Sequence, residues 1–131
     1  MQLRISGLPK PQGSKRVFNG RVVEAAGNAL KVWRRAIAQE CLAQVTEAHK
    51  PFLGPVMVTC VFYLPRPKTV SEKQRALPIV PPDVDKLSRA LLDGIGQSEV
   101  VWGDDSQVIE LRAVKVYGTD FIGAEVKITE L

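Results

Sequence analysis

The sequence predicts a single domain over residues 1–131 of mixed α/β (α+β) class: one mixed β-sheet with two helices packed on it, in the order strand, helix, strand, helix, strand, strand. Three observations lead there. The 131 residues suffice for one buried core and are too few for two independent ones. Two stretches repeat apolar residues at three- and four-residue intervals, and four others alternate or run as β-branched and aromatic segments. Each helix then has one apolar stripe to bury, and a sheet face is the simplest cover for both. A content of 45% hydrophobic and 24% charged residues is that of an ordinary globular chain, and no run approaches the roughly 18 apolar residues of a membrane span.

Taken in order, Gln2 to Leu8 sets Leu3 and Ile5 against Arg4 and Ser6 and forms the first strand. The segment PKPQGSKRVFNGRVVEAAGN has prolines, glycines and much basic charge, which makes it a loop or a hairpin. From about Asn28 to about Ala48, Leu30, Trp33, Ile37, Cys41 and Val45 mark one face of a helix. Pro51 and Gly54 end that pattern before VMVTCVFYL, the best candidate for the central strand, with the few polar positions expected of a strand covered on both faces. Pro65 to Pro82 contains five prolines among Arg66, Lys68, Lys73 and Arg75, and is expected to be a mobile basic connection. After Pro81 and Pro82, Leu87, Ala90, Leu91 and Ile95 define a second helix ending near Gly94 or Gly96. Gln107 to Tyr117 and Ala124 to Leu131 alternate as two strands, expected to pair as a hairpin through Gly118 to Gly123.

Net charge is +4, and its distribution is uneven. Up to Ala38 there are eight basic residues and one acid, Glu24, whereas acids gather between Asp83 and Glu110. A basic region set apart from an acidic cluster suits a polyanionic substrate that meets a metal site. Cys41 and Cys60 lack metal or disulfide spacing and are expected to be buried small hydrophobes. His49 is the only histidine, which disfavours mechanisms that need a pair. Without a signal-peptide-like apolar run, the expected location is cytoplasmic, in a bacterial or phage-infected cell.

On a helix wheel Asp85, Lys86, Arg89 and Asp93 fall within about a 100° arc, opposite the apolar stripe. Asp83 lies at the helix start, where its side chain could simply cap the first turn. A cap does not explain Asp93, Asp104 and Asp105, the last two adjacent just before a strand. Carboxylates gathered without cationic partners repel one another unless a cation sits among them. Magnesium takes hard oxygen ligands and keeps several waters, a demand that a few aspartates meet without histidine or cysteine. Such an ion would serve phosphodiester hydrolysis, and a nearby Arg89 or Lys86 would neutralise charge that builds on the phosphate.

From Pro81 to Gly118, the segment PPDVDKLSRALLDGIGQSEVVWGDDSQVIELRAVKVYG resembles the central signature of RusA-family Holliday-junction resolvases. There a proline-led D-x-D opens a helix, a later aspartate follows, and D-D-x-Q-V starts a strand. The resemblance implies homodimeric, magnesium-dependent endonucleases that bind four-way DNA junctions and resolve them by paired nicks in recombination and repair. By the same resemblance Asp83, Asp85 and Asp105 are the essential acids. Asp104 is a further candidate metal position, and Mn2+ is the expected substitute ion. Arg89 stands where the family has an active-site lysine, and Lys86 where it usually has asparagine. Arginine keeps the charge but cannot release its proton, so proton transfer would fall to Lys86 or to water.

Four-way junctions are recognised largely through backbone shape, which calls for cations spread over a broad surface. The first candidate set is Lys10, Lys15, Arg16, Arg21, Arg34 and Arg35; the second is Arg66, Lys68, Lys73 and Arg75. Phe18 could stack on exposed bases or anchor its loop. Trp33 and Trp102 are assigned to packing. Neither a membrane nor a small-molecule cofactor is expected. Two other functions fit the same features: a branched-DNA-binding protein without catalysis, and a less selective flap or branched-DNA nuclease.

Overall fold

The longest apolar run in the chain, Val56–Leu64, forms the inner strand β4 of a four-stranded sheet. The computed structural model describes all residues except 14, 25, 26 and 47, with backbone alone for 15–18 and 21–24. The elements are β1 (Gln2–Ser6), a two-stranded ribbon β2 (Lys15–Phe18) and β3 (Arg21–Glu24), helix α1 (Gly27–Gln44), β4, helix α2 (Val84–Ser98), a 3-10 turn (Asp105–Gln107), β5 (Val108–Tyr117) and β6 (Gly123–Glu130). Setting the ribbon aside, the order is the one expected, with two helices on a mixed sheet.

Sheet order is β1-β6-β4-β5. β6 runs antiparallel to both β1 and β4, matching Leu3 to Val126 and Val58 to Ile128, while β5 lies parallel to β4 on its other side, matching Cys60 to Ala113. The expected β5–β6 hairpin is therefore wrong, because β4 separates them. Pairing follows burial: β6 alternates strictly, with Ala124, Val126 and Ile128 buried, and takes an interior place. β5 leaves Ile109, Leu111 and Val114 exposed and takes an edge. On β4, Val56, Val58, Cys60, Phe62 and Leu64 are buried while the alternate residues are half-buried, so cover on the second face is partial.

Leu30, Trp33, Ile37 and Cys41 of α1 and Leu87, Ala90, Leu91 and Ile95 of α2 complete the core with that face of the sheet. Each large apolar side chain so buried contributes about 1.5–3 kcal/mol. The helices cross closely at Gly94, where a Cβ would stand 2.9 Å from Ile37. Gly94 is thus a packing residue rather than a stop signal, and α2 continues to Ser98 before Glu99, in the left-handed region at φ 61°, closes it. α1 ends at Gln44, four residues before the expected Ala48. Burial pushes the Cys41 thiol up to about 11 and the Cys60 thiol up to about 12, so both are small hydrophobes at neutral pH. Among the described residues no helix is long and apolar enough to cross a membrane.

The connection from Pro65 to Pro82 carries no helix or strand, but it is pinned rather than loose. Arg66 lies over the Tyr117 ring at 4.2 Å from its centroid and donates to the carbonyls of Arg75 and Ala76. Arg75 Nε donates to the Tyr117 hydroxyl at 2.8 Å. At the far end, Lys115 Nζ donates to the carbonyls of Val80 and Pro82 at 2.8 and 2.9 Å. Charges that looked like free surface cations hold their own chain in place.

Candidate metal and DNA site

Asp83 occupies the N-cap position of α2 with extended backbone (φ −73°, ψ 142°), and its carbonyl accepts the first helical bond from Leu87 at 3.0 Å. Its carboxylate makes no capping hydrogen bond. Instead Oδ2 lies 3.5 Å from Lys86 Nζ, an ion pair with both side chains about half exposed, worth at most about 1 kcal/mol. The capping alternative thus holds for the backbone position and fails for the side chain.

One turn of α2 carries the rest. Asp85 and Arg89 are exposed on the charged face and line a cleft of about 420 Å³ between α2 and β5, floored by Leu92, Leu111 and Ala113. Asp105, twenty residues further along the chain, lines the same cleft. Its turn is held from several sides. Asp104 Oδ2 accepts from the Ser106 amide at 2.9 Å, and Gln107 Oε1 accepts from the Gly103 and Asp104 amides at 2.9 and 3.2 Å. Gln107 Nε2 donates to the carbonyls of Phe52 and Gly54 at 2.9 and 3.0 Å. Hydrogen bonding from the Ser106 side chain, and then from its amide, holds the Asp104 carboxyl below its usual value, so its contribution to the turn is present above the ordinary carboxylate range and is lost as pH falls through that lowered value.

Of the four expected metal positions, two face the cleft. Asp104 serves the turn, and Asp83 faces Lys86. Among the described residues no three His, Cys, Asp or Glu side chains are grouped to hold an ion. What the cleft offers is two exposed carboxylates and a guanidinium, with no histidine or cysteine among its lining residues. Such a donor set fits a hard cation that retains most of its waters, as magnesium does.

The expected DNA-contacting residues divide. Lys68, Lys73 and Arg35 are exposed, and Lys10 is half-buried. Arg34 is a correction: it is buried, at 9% exposure, because α1 turns it towards α2. There its Nη1 donates to Gln12 Oε1 at 2.8 Å, and Gln12 Nε2 donates to Asp93 Oδ2 at 2.5 Å. Asp93 is thereby explained as a partner in packing rather than a ligand. Arg66 and Arg75 are half-buried and engaged with Tyr117. The side chains of Lys15, Arg16, Phe18 and Arg21 lie outside the described residues; their backbone forms the ribbon β2–β3.

Sequence reasoning missed Lys115, Gln107 and Gln12. Only Gln107 left a signal, since D-x-x-Q over Asp104–Gln107 is a capping-box pattern. Lys115 fixes the segment that leads into Asp83, and Lys115→Met should strand two part-buried carbonyls. The expected cost is about 1–3 kcal/mol in urea denaturation. An unchanged midpoint would mean that the two bonds contribute nothing.

The model of a known family, Endodeoxyribonuclease RusA, matches residues 7–129, which take in the ribbon, both helices, the cleft, β4, β5 and all of β6 but its last residue. This chain belongs to the RusA endodeoxyribonuclease family. It is also similar to the uncharacterized protein YqaN of Bacillus subtilis (strain 168), with 28% identity over 134 residues, covering 92% of this chain and 89% of that protein. Membership in the RusA family carries the class of activity, endonucleolytic hydrolysis of DNA at Holliday junctions, and with it the binding of branched DNA. The Asp85–Arg89–Asp105 cleft lies inside the matched span.

Proposed function

We propose that this chain is a magnesium-dependent endonuclease that resolves four-way DNA junctions by paired, symmetric nicks as a homodimer. The observation that carries this reading is the meeting of Asp85, Arg89 and Asp105 in one cleft, from two elements far apart in sequence. Asp85 and Asp105 would hold the ion, while Asp83 at the helix start pairs with Lys86. Bound there, magnesium would supply the charge that polarises the phosphoryl group and favours hydroxide over water.

The chain's own groups do the remainder. Arg89, permanently charged, orients the phosphate and neutralises charge as it builds in the transition state. Lys86, held at 3.5 Å by Asp83, is the nearby group able to give a proton to the departing oxygen. Exposed Arg35, Lys68 and Lys73 meet the DNA backbone. Two symmetric cuts need two sites related by a two-fold axis, and the unpaired edge of β5, with Ile109 and Val114 exposed, offers apolar surface for such pairing.

A supercoiled plasmid bearing an extruded cruciform tests the whole reading. With magnesium, two nicks in one encounter linearise it directly, whereas independent nicks give open circles first. We expect linear product with magnesium and none with chelator. Open circles alone would sink the paired mechanism, and metal-independent cutting would sink the ion. A second reading, a branched-DNA-binding protein without hydrolysis, draws on the Asp83–Lys86 ion pair and on the two-carboxylate cleft. It predicts a retarded cruciform that stays supercoiled.

A further inference from the structure

Beside Pro82 a second groove of about 480 Å³ opens. Pro11, Pro67, Pro81, Pro82 and Tyr117 form its walls, with Lys10 also lining it. Its far wall is fixed, because Lys115 holds the carbonyls of Val80 and Pro82, and Arg66 and Arg75 hold the loop against Tyr117. A groove with preset walls loses little freedom when it is filled.

Its chemistry is one-sided. The walls are proline rings, a few aliphatic side chains and one aromatic ring, no acidic residue lines it, and cations stand at it: Lys10 in the lining, and the guanidinium groups of Arg66 and Arg75 at 4.2 and 5.9 Å from the Tyr117 centroid. An occupant with a flat apolar body and a negative tether matches both features, which describes a nucleotide. A proline-rich peptide fits less well, since grooves for such ligands are lined by several aromatic rings and this one has a single tyrosine. Position decides the rest. Pro82 borders the groove, while Val84 and Asp85 border the cleft, so a nucleotide seated here has a neighbouring phosphate within reach of Asp85 and Asp105.

We propose that the proline-walled groove holds one unstacked base of the strand being cut, next to the cleaved phosphate, and so sets which nucleotides are preferred at the nick. This inference rests on the DNA-cutting function proposed above. Selection acts through ring size and stacking, because the walls present few hydrogen-bonding groups.

The test pairs two measurements on the full chain. The first is nicking of a panel of synthetic junctions, with each of the four bases placed in turn beside the cut, with magnesium. The second is fluorescence of 2-aminopurine at that position on binding without divalent metal. Wild type should prefer its best base by about fivefold, since differences in stacking strength give modest preferences, and the probe should brighten as it leaves the helix. Leu8 lines the groove and is 47% exposed, so Leu8→Trp can fill it and Leu8→Glu can set a negative charge there without entering the core. Both variants should bring the preference below about twofold and suppress the brightening. Preference and brightening unchanged in both would overturn the groove's role, as would a wild type that cuts every base equally. A wild type that neither binds nor nicks junctions defeats the function and the groove together.

Discussion

Asparagine at Asp85 or at Asp105 should lower magnesium-dependent nicking of a four-way junction by roughly two orders of magnitude or more, with folding intact and junction binding unchanged or tighter. The substitution keeps size and one carbonyl oxygen while it removes the charge that would hold the ion. Both side chains are exposed, so stability should change by no more than about 0.5 kcal/mol. Binding should gain, because each carboxylate lost from the cleft is one fewer negative charge facing the phosphates. Asp83→Asn is informative in another way. Asparagine caps a helix as well as aspartate does, so lost nicking there reports on the carboxylate and its hold on Lys86, not on the helix. A folded Asp85→Asn or Asp105→Asn protein that nicks at nearly the wild-type rate would remove the cleft from the chemistry.

The largest effect on stability is expected from Gly123→Ala, at about 3 kcal/mol or more, from backbone strain and overpacking together. Gly123 has φ +153°, a conformation that residues with a Cβ rarely adopt, and a Cβ built there stands 2.0 Å from the carbonyl oxygen of Ile5. That oxygen belongs to the strand β1 itself, paired through Ser6 with Gly123, so it cannot swing aside as a side chain would. Relief requires β1 and β6 to separate at their shared end. Thermal melting should show a midpoint lower by roughly 10 °C. Gly54→Ala is the control: nothing lies within 4 Å of its Cβ position and its φ is not in the left-handed range, so its midpoint should stay close to wild type. Equal midpoints for the two variants would show that the sheet end can rearrange.

Much of this was visible in the chain alone, for reasons that particular residues make plain. Leu30, Trp33, Ile37 and Cys41 repeat at helical spacing because a helix buries one stripe, and VMVTCVFYL is apolar because one face of it is buried in the core and the other is half-buried. The charged face of α2 was legible because its alternative partners, Leu87, Ala90, Leu91 and Ile95, were so clearly committed to the core. What stayed hidden depends on contacts between distant segments. Alternation in β5 and β6 says which side of each strand is buried, not which strand lies beside it, and so the hairpin was wrongly expected. Arg34 looked like its neighbour Arg35 until the fold brought Gln12 against it, and Arg66 looked free until Tyr117 arrived beneath it. A basic residue in sequence carries no sign of whether water, phosphate or its own backbone will take its protons.

The clamp around Gln107 bears on how an ion would be taken up. Its amide group joins the turn of Asp105 to the stretch just before β4, using four hydrogen bonds from one side chain. The backbone freedom of Asp105 is therefore spent when the chain folds, and capturing a cation has only side-chain torsions left to freeze. Thermodynamic reciprocity then runs the other way: a cation bound at Asp105 must tighten the turn, and whatever loosens the turn must loosen the cation by the same factor. A side chain that never touches the ion would in this way hold part of its affinity.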